Sequence, residues 1–206
     1  GTNVWGGSVT LGSEGRINAD AGVLSVGGSV VVGGYGLSVG GAGAGEVVFG
    51  GVVGGGIGGL TKEGVGTLTL NGVNMFSGAT VVSGGTLVAL SGGLGSTSSI
   101  AVNGARLSAV DYNSAAGLSV DGSGYATISG LGLSLGNVSN ANTSSGAVNF
   151  SGVTGTITLG SLSGVGSTVF GSNATIGGGV SGGNVSVAGM LSGDIYGGVV
   201  AANALV

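Results

Sequence analysis

The stretch GGLTKEGVGTLTLNGVNMFSGATVVSGGTLVAL, residues 58–90, decides the fold. It contains a Gly-x-Gly at Gly64-Val65-Gly66, so a phosphate-binding loop is the first reading to weigh. A Walker loop needs Gly-Lys-Ser/Thr, and a dinucleotide fingerprint needs a third glycine opening a helix. Neither is present. The glycines instead open Thr67-Leu68-Thr69-Leu70, an alternation of polar and apolar residues with the period of a half-buried strand. A second alternation, Thr86-Leu87-Val88-Ala89-Leu90, follows Gly84-Gly85. The stretch reads as strand, glycine corner, strand.

The same unit recurs along the chain. Short alternating runs flanked by glycine include Val23-Leu24-Ser25-Val26, Glu46-Val47-Val48-Phe49, Arg106-Leu107-Ser108-Ala109-Val110 and Asn184-Val185-Ser186-Val187. Helical periodicity is absent. Strand centres fall about 20 residues apart, as at Leu68, Leu87, Leu107 and Ile128, then Ile157, Ile176 and Ile195. This predicts an all-β chain, a parallel β-helix (β-solenoid) over residues 1–206 with roughly 20 residues per coil and about ten coils. Valine, leucine and isoleucine would stack inward, and serine, threonine and asparagine would face out. The most polar run predicts an irregular coil or loop at 136–147.

Composition agrees. Glycine supplies 54 of 206 residues, while proline, cysteine and histidine are absent. Hydrophobic residues make up 42%, enough for a core, so a disordered glycine-rich chain is a poor reading. Glycine does not recur at every third position, which excludes collagen. Proline cannot donate to a ladder, so its absence suits a chain whose strands are paired on both sides. The net charge of −4 and lack of a basic patch argue against nucleic-acid binding. No apolar run is long enough for a membrane-spanning helix.

Residues 60–90 resemble the autotransporter-associated β-strand repeat of bacterial passenger domains. The pattern is Leu60-Thr61-Lys62, then the Gly-x-Gly-Thr-Leu-Thr-Leu of residues 64–70. Gly-x-Asn-x-aromatic-Ser-Gly follows over residues 72–78, and Thr-x-x-x-Gly-Gly-Thr-Leu over residues 80–87. Glu63 departs from the small polar residue more usual there. The resemblance implies a right-handed coil and export to the outside of a bacterium. It describes architecture and carries no activity. The translocator barrel expected of such proteins is not in this sequence, which ends Ala202-Asn203-Ala204-Leu205-Val206 without a terminal aromatic.

Candidate sites are few. Lys62 and Glu63 read as surface charges, with Lys62 able to reach Glu46 on an adjacent coil. The acids Glu14, Asp20, Glu46, Glu63, Asp111, Asp121 and Asp194 are scattered, and Asp111 and Asp121 with Arg106 form the closest group. They are thin material for a polysaccharide-acting β-helix enzyme, which needs clustered carboxylates. Without histidine or cysteine, the usual nucleophile–base pairs and zinc sites are out. Asp121-Gly122-Ser123-Gly124 reads as a tight turn rather than a calcium loop. No cofactor is expected. The favoured reading is a non-catalytic extracellular fibre component that self-associates head-to-tail or laterally; neither terminus has the look of a polar cap. The alternative is an adhesin-type passenger with a host-surface or matrix ligand. Its candidate adhesive residues are Asn137, Asn140, Asn142, Thr143 and Ser144.

Overall fold

A computed structural model describes residues 1–192, 195–196 and 199–205. Asp194 and Val206, both named above, lie outside them. The described residues form short parallel strands joined by turns, with no helix. Strands one turn apart pair in register. Thr67–Leu70 lies between Glu46–Phe49 and Thr86–Ala89, and Leu60–Lys62 between Leu37–Gly40 and Thr80–Val82. The chain is a β-solenoid with strands stacked about 20 residues apart, about ten turns in all.

The chain divides into two units. The first holds Gly1–Ile100 with Ala105–Ala109, and the second holds Ala101–Gly104 with Val110–Val206. In the first, the register produces columns. Leu24, Val47, Leu68, Leu87 and Leu107 stack in one inward column, and Val26, Phe49, Leu70, Ala89 and Ala109 in the next. Most of these side chains are buried. Alternation of side chains along a strand causes this, because the apolar residues of a Thr-Leu-Thr-Leu run share one face. The outward column is less polar than the sequence suggests: Val4, Val48 and Val88 stand in it with Ser25, Thr69 and Ser108.

The second unit changes its turn length. Its strands lengthen, with Leu133–Asn140 paired to Ile157–Gly164 over seven residue pairs at an offset of about 24 residues. Turns then shorten. Ile157 stacks on Ala174 and Leu159 on Ile176, while Ile195 pairs with Val180. The spacing of strand centres expected at about 20 residues is shorter here, and Ile157, Ile176 and Ile195 occupy different columns. Phe150 and Phe170 are stacked neighbours, with ring centroids 5.4 Å apart and planes tilted by 51°.

The stretch predicted as irregular, 136–147, is half strand. Residues up to Asn140 continue Leu133–Asn140, and only 141–147 form a loop. Asn137 and Ser139 suit a strand because they face out on either side of buried Val138, while Asn140 turns inward.

Glycine makes close stacking of the corners workable. Gly64 has φ +68°, and a Cβ on it would strike the carbonyl oxygen of Gly41 one turn below. Gly66 next to it is similarly blocked by Gly45. Here the backbones of successive corners touch without intervening side chains.

Candidate functional site

The residues predicted to form an adhesive loop do not form one surface. Asn140 and Asn142 are each 1% exposed. Asn142 donates from Nδ2 to the carbonyl of Gly124 on the preceding turn (2.6 Å) and accepts from the Ser144 N–H (2.9 Å). Asn140 donates from Nδ2 to the carbonyl of Ser167 on the following turn (2.9 Å) and accepts from the Asn142 N–H (3.1 Å). Both are internal braces, because a buried amide must spend its hydrogen bonds inside the protein. Asn137, Thr143 and Ser144 remain exposed, Asn137 on the strand and the other two in the loop.

Lys62 also departs from expectation. It is 1% exposed and points into the solenoid, stacked between Val39 and Val82. Its Nζ donates to the carbonyls of Glu63 (2.6 Å), Gly64 (3.0 Å) and Gly84 (3.0 Å). One ammonium thus ties the corner of its own turn to the corner of the next. Burial lowers its pKa below the ordinary lysine value, and the Glu63 carboxylate opposes part of that shift. It makes no pair with Glu46, which accepts instead from the Thr69 hydroxyl (2.7 Å).

Asn74 performs a related task on another face. It is 5% exposed, accepts from the Val53 N–H on the turn before (2.7 Å) and donates to the Gly93 carbonyl on the turn after (2.7 Å). With buried Phe76, it explains why a Gly-x-Asn-x-aromatic pattern suits this corner. Asn74→Ala leaves one buried donor and one buried acceptor unpaired and is expected to cost about 1–3 kcal/mol. Asn74→Asp is expected to cost more, because a carboxylate cannot donate to Gly93. Urea unfolding midpoints of the two variants check both values and their order.

Asp20, Asp111 and Asp121 serve the backbone. Asp121 Oδ1 accepts from the N–H groups of Gly104 (2.9 Å), Ser123 (3.1 Å) and Gly124 (2.9 Å), the tight turn read from the sequence. These bonds, Gly104's first, hold its carboxyl below the usual carboxylate pKa. Asp111, with φ 50°, accepts from the Leu131 N–H (3.2 Å), and Asp20 from the Ala42 N–H (2.7 Å). Among the described residues no group of three or more His, Cys, Asp or Glu could hold a metal ion. No helix among them is long and apolar enough to cross a membrane.

Sequence reasoning missed a group on the outer face of the first unit. Arg16 Nη1 pairs with Glu63 Oε1 at 2.9 Å, two turns away. The signal was available in the strand spacing. Arg16 pairs in register with Ser38 and Ser38 with Thr61, so the three share one outward column, and Glu63 follows Thr61 by two residues.

Residues 60–89 match the family model described as passenger-associated-transport-repeat. No curated protein and no solved structure matches the chain. The repeat match and the β-solenoid fold together support a passenger-type domain.

Proposed function

We propose that this chain is a non-catalytic structural segment of an extracellular bacterial fibre or surface rod, exported as passenger-type coils and self-associating head-to-tail or laterally. The observation that carries the reading is the use made of its polar residues. Lys62, Asn74, Asn140, Asn142 and the buried Thr80–Thr97 hydroxyl pair tie one turn to the next. Three of the seven acids accept hydrogen bonds from backbone N–H groups of a neighbouring turn. Such a chain invests its chemistry in longitudinal stiffness.

Self-association has support on the surface. Ile57, Val73 and Met75 in the first unit are 78%, 68% and 64% exposed, in a chain that is only 5% charged. Exposed apolar side chains with little charge repulsion favour lateral contact. Negative-stain micrographs across a concentration series test this. Elongated assemblies that lengthen or bundle with concentration are expected; a single short particle at every concentration, confirmed by sedimentation velocity, would refute self-association. The passenger-type match also favours a secreted or outer-membrane surface location.

The adhesin reading retains the exposed Asn137, Thr143 and Ser144 as candidates. With Asn140 and Asn142 buried, its stronger support is the charged face of the first unit.

A further inference from the structure

We propose that the outer face of the first unit carries a binding site for a neutral, hydroxyl-rich ligand, an uncharged oligosaccharide, in the groove lined by Glu14, Arg16, Ser38, Thr61 and Glu63. This rests on the reading that the solenoid is displayed outside the cell.

Charge is scarce in this protein, which has seven acidic and three basic residues in 206. Two of those acids and one of those bases line a single shallow groove of about 480 Å³. Glu14 and Arg16 share one turn, and Glu63 comes from a turn far along the sequence. Parallel register alone brings Arg16, Ser38 and Thr61 into one outward column, each step about 4.8 Å.

Arg16 is held in place from two sides. Its Nε donates to Asn18 Oδ1 (2.8 Å) and its Nη1 to Glu63 Oε1 (2.9 Å). Yet its side chain is 52% exposed, and that of Glu63 is 31% exposed. An exposed ion pair contributes little to folding. What the pair does here is hold a guanidinium still while its remaining N–H groups stay open to a ligand. A donor braced before binding loses less freedom on binding.

The chemistry of the lining selects the ligand class. Carboxylates accept hydrogen bonds from ligand hydroxyls, the guanidinium donates to them, and the hydroxyls of Ser38 and Thr61 can do either. That mixture suits neighbouring hydroxyls on a sugar ring. Two carboxylates outnumber one guanidinium, and the chain carries a net charge of −4. Both disfavour uronic or sialic acid polymers and favour uncharged sugars. An open, shallow groove along the stacking direction also suits a polymer lying across successive turns better than an enclosed small molecule.

The test uses the whole chain against immobilised neutral hexose and N-acetylhexosamine oligomers, with uronic-acid and sialylated oligomers alongside. Neutral oligomers are expected to bind. Titration calorimetry with the best of them should then show Arg16→Ala weakening binding about tenfold or more, since a hydrogen bond to a charged group is lost. Arg16→Lys should recover part of that loss and Glu14→Gln should weaken binding, while Glu46→Gln, outside the groove, should leave it unchanged. Thermal melts confirm that the variants fold, and Glu14→Gln changes an exposed side chain. Failure of every neutral oligomer to bind, preference for acidic oligomers, or affinity unchanged in both Arg16→Ala and Glu14→Gln would overturn the proposal. Filament formation is read separately by microscopy, so loss of either reading leaves the other standing.

Discussion

Lys62→Ala is expected to destabilise the first unit by about 3–5 kcal/mol, in the range of emptying a large buried site while stranding buried acceptors. The side chain is 1% exposed, and its ammonium serves three carbonyls on two successive corners. Lys62→Met separates the two contributions. Methionine fills much of the space left by the lysine stem but donates nothing, so a smaller loss of about 1–3 kcal/mol is expected. Urea denaturation measures both. A Lys62→Ala protein as stable as the parent would show that the ammonium does no structural work.

The same residue gives a pH dependence with a definite sign. Burial places the folded-state pKa of Lys62 below the ordinary value of 10.5. Below the folded pKa both states carry the proton, and the full cost of burying the charge is present. Between the folded pKa and 10.5 the unfolded chain binds more protons, so Lys62's contribution to stability rises with pH there. Tyr112 acts in the opposite sense above its ordinary value of 10.0, because its burial raises its pKa. Comparing the parent with Lys62→Met removes Tyr112 from the account. The stability of the parent relative to Lys62→Met is expected to rise between neutral pH and pH 10.5, and an unchanged difference would rule out titration of Lys62 in that window.

Gly64→Ala is expected to be comparably damaging, at about 2–6 kcal/mol, the sum of two separate costs. At φ +68° an L-side chain is strained by roughly 1–3 kcal/mol. The new methyl group also meets the Gly41 carbonyl, which belongs to backbone and cannot rotate away; overpacking of this kind costs about 1–3 kcal/mol more. Gly146→Ala is the natural control. Gly146 has φ +68° but open space around its Cβ position, so it carries only the backbone cost. A thermal melt of Gly64→Ala that matches Gly146→Ala would show that the corners do not touch as described.

Much of the fold was legible because alternation and spacing are local properties. Thr67-Leu68-Thr69-Leu70 named its buried face directly, and Leu68, Leu87 and Leu107 stack as their spacing predicts. The same rule should have placed Lys62 inside, since it lies two residues from buried Leu60 on a strand. The expectation that charge belongs in water overrode it, and three carbonyls inside the corner reverse that expectation. The candidate site was much less legible. Asn140 and Asn142 looked like a polar loop because composition cannot distinguish an exposed amide from one that braces two turns.

The amino-acid sequence by itself determined the strand pattern, the coil of about 20 residues and the passenger-type repeat at residues 60–89, because these depend on neighbours a few residues apart or on a repeated motif. Only the tertiary structure decided which side chains meet. Arg16 and Glu63 are 47 residues apart in the chain, and their contact depends on the lengths of two intervening turns. Where turns lengthen or shorten, as they do around Ile157 and Ile176, every later column is reassigned. Leu68 pairs with Leu87, 19 residues on, and Leu133 with Ile157, 24 residues on, yet the inward column stays inward because the corners absorb the difference, so the surface chemistry follows from an accumulated register that no single motif contains.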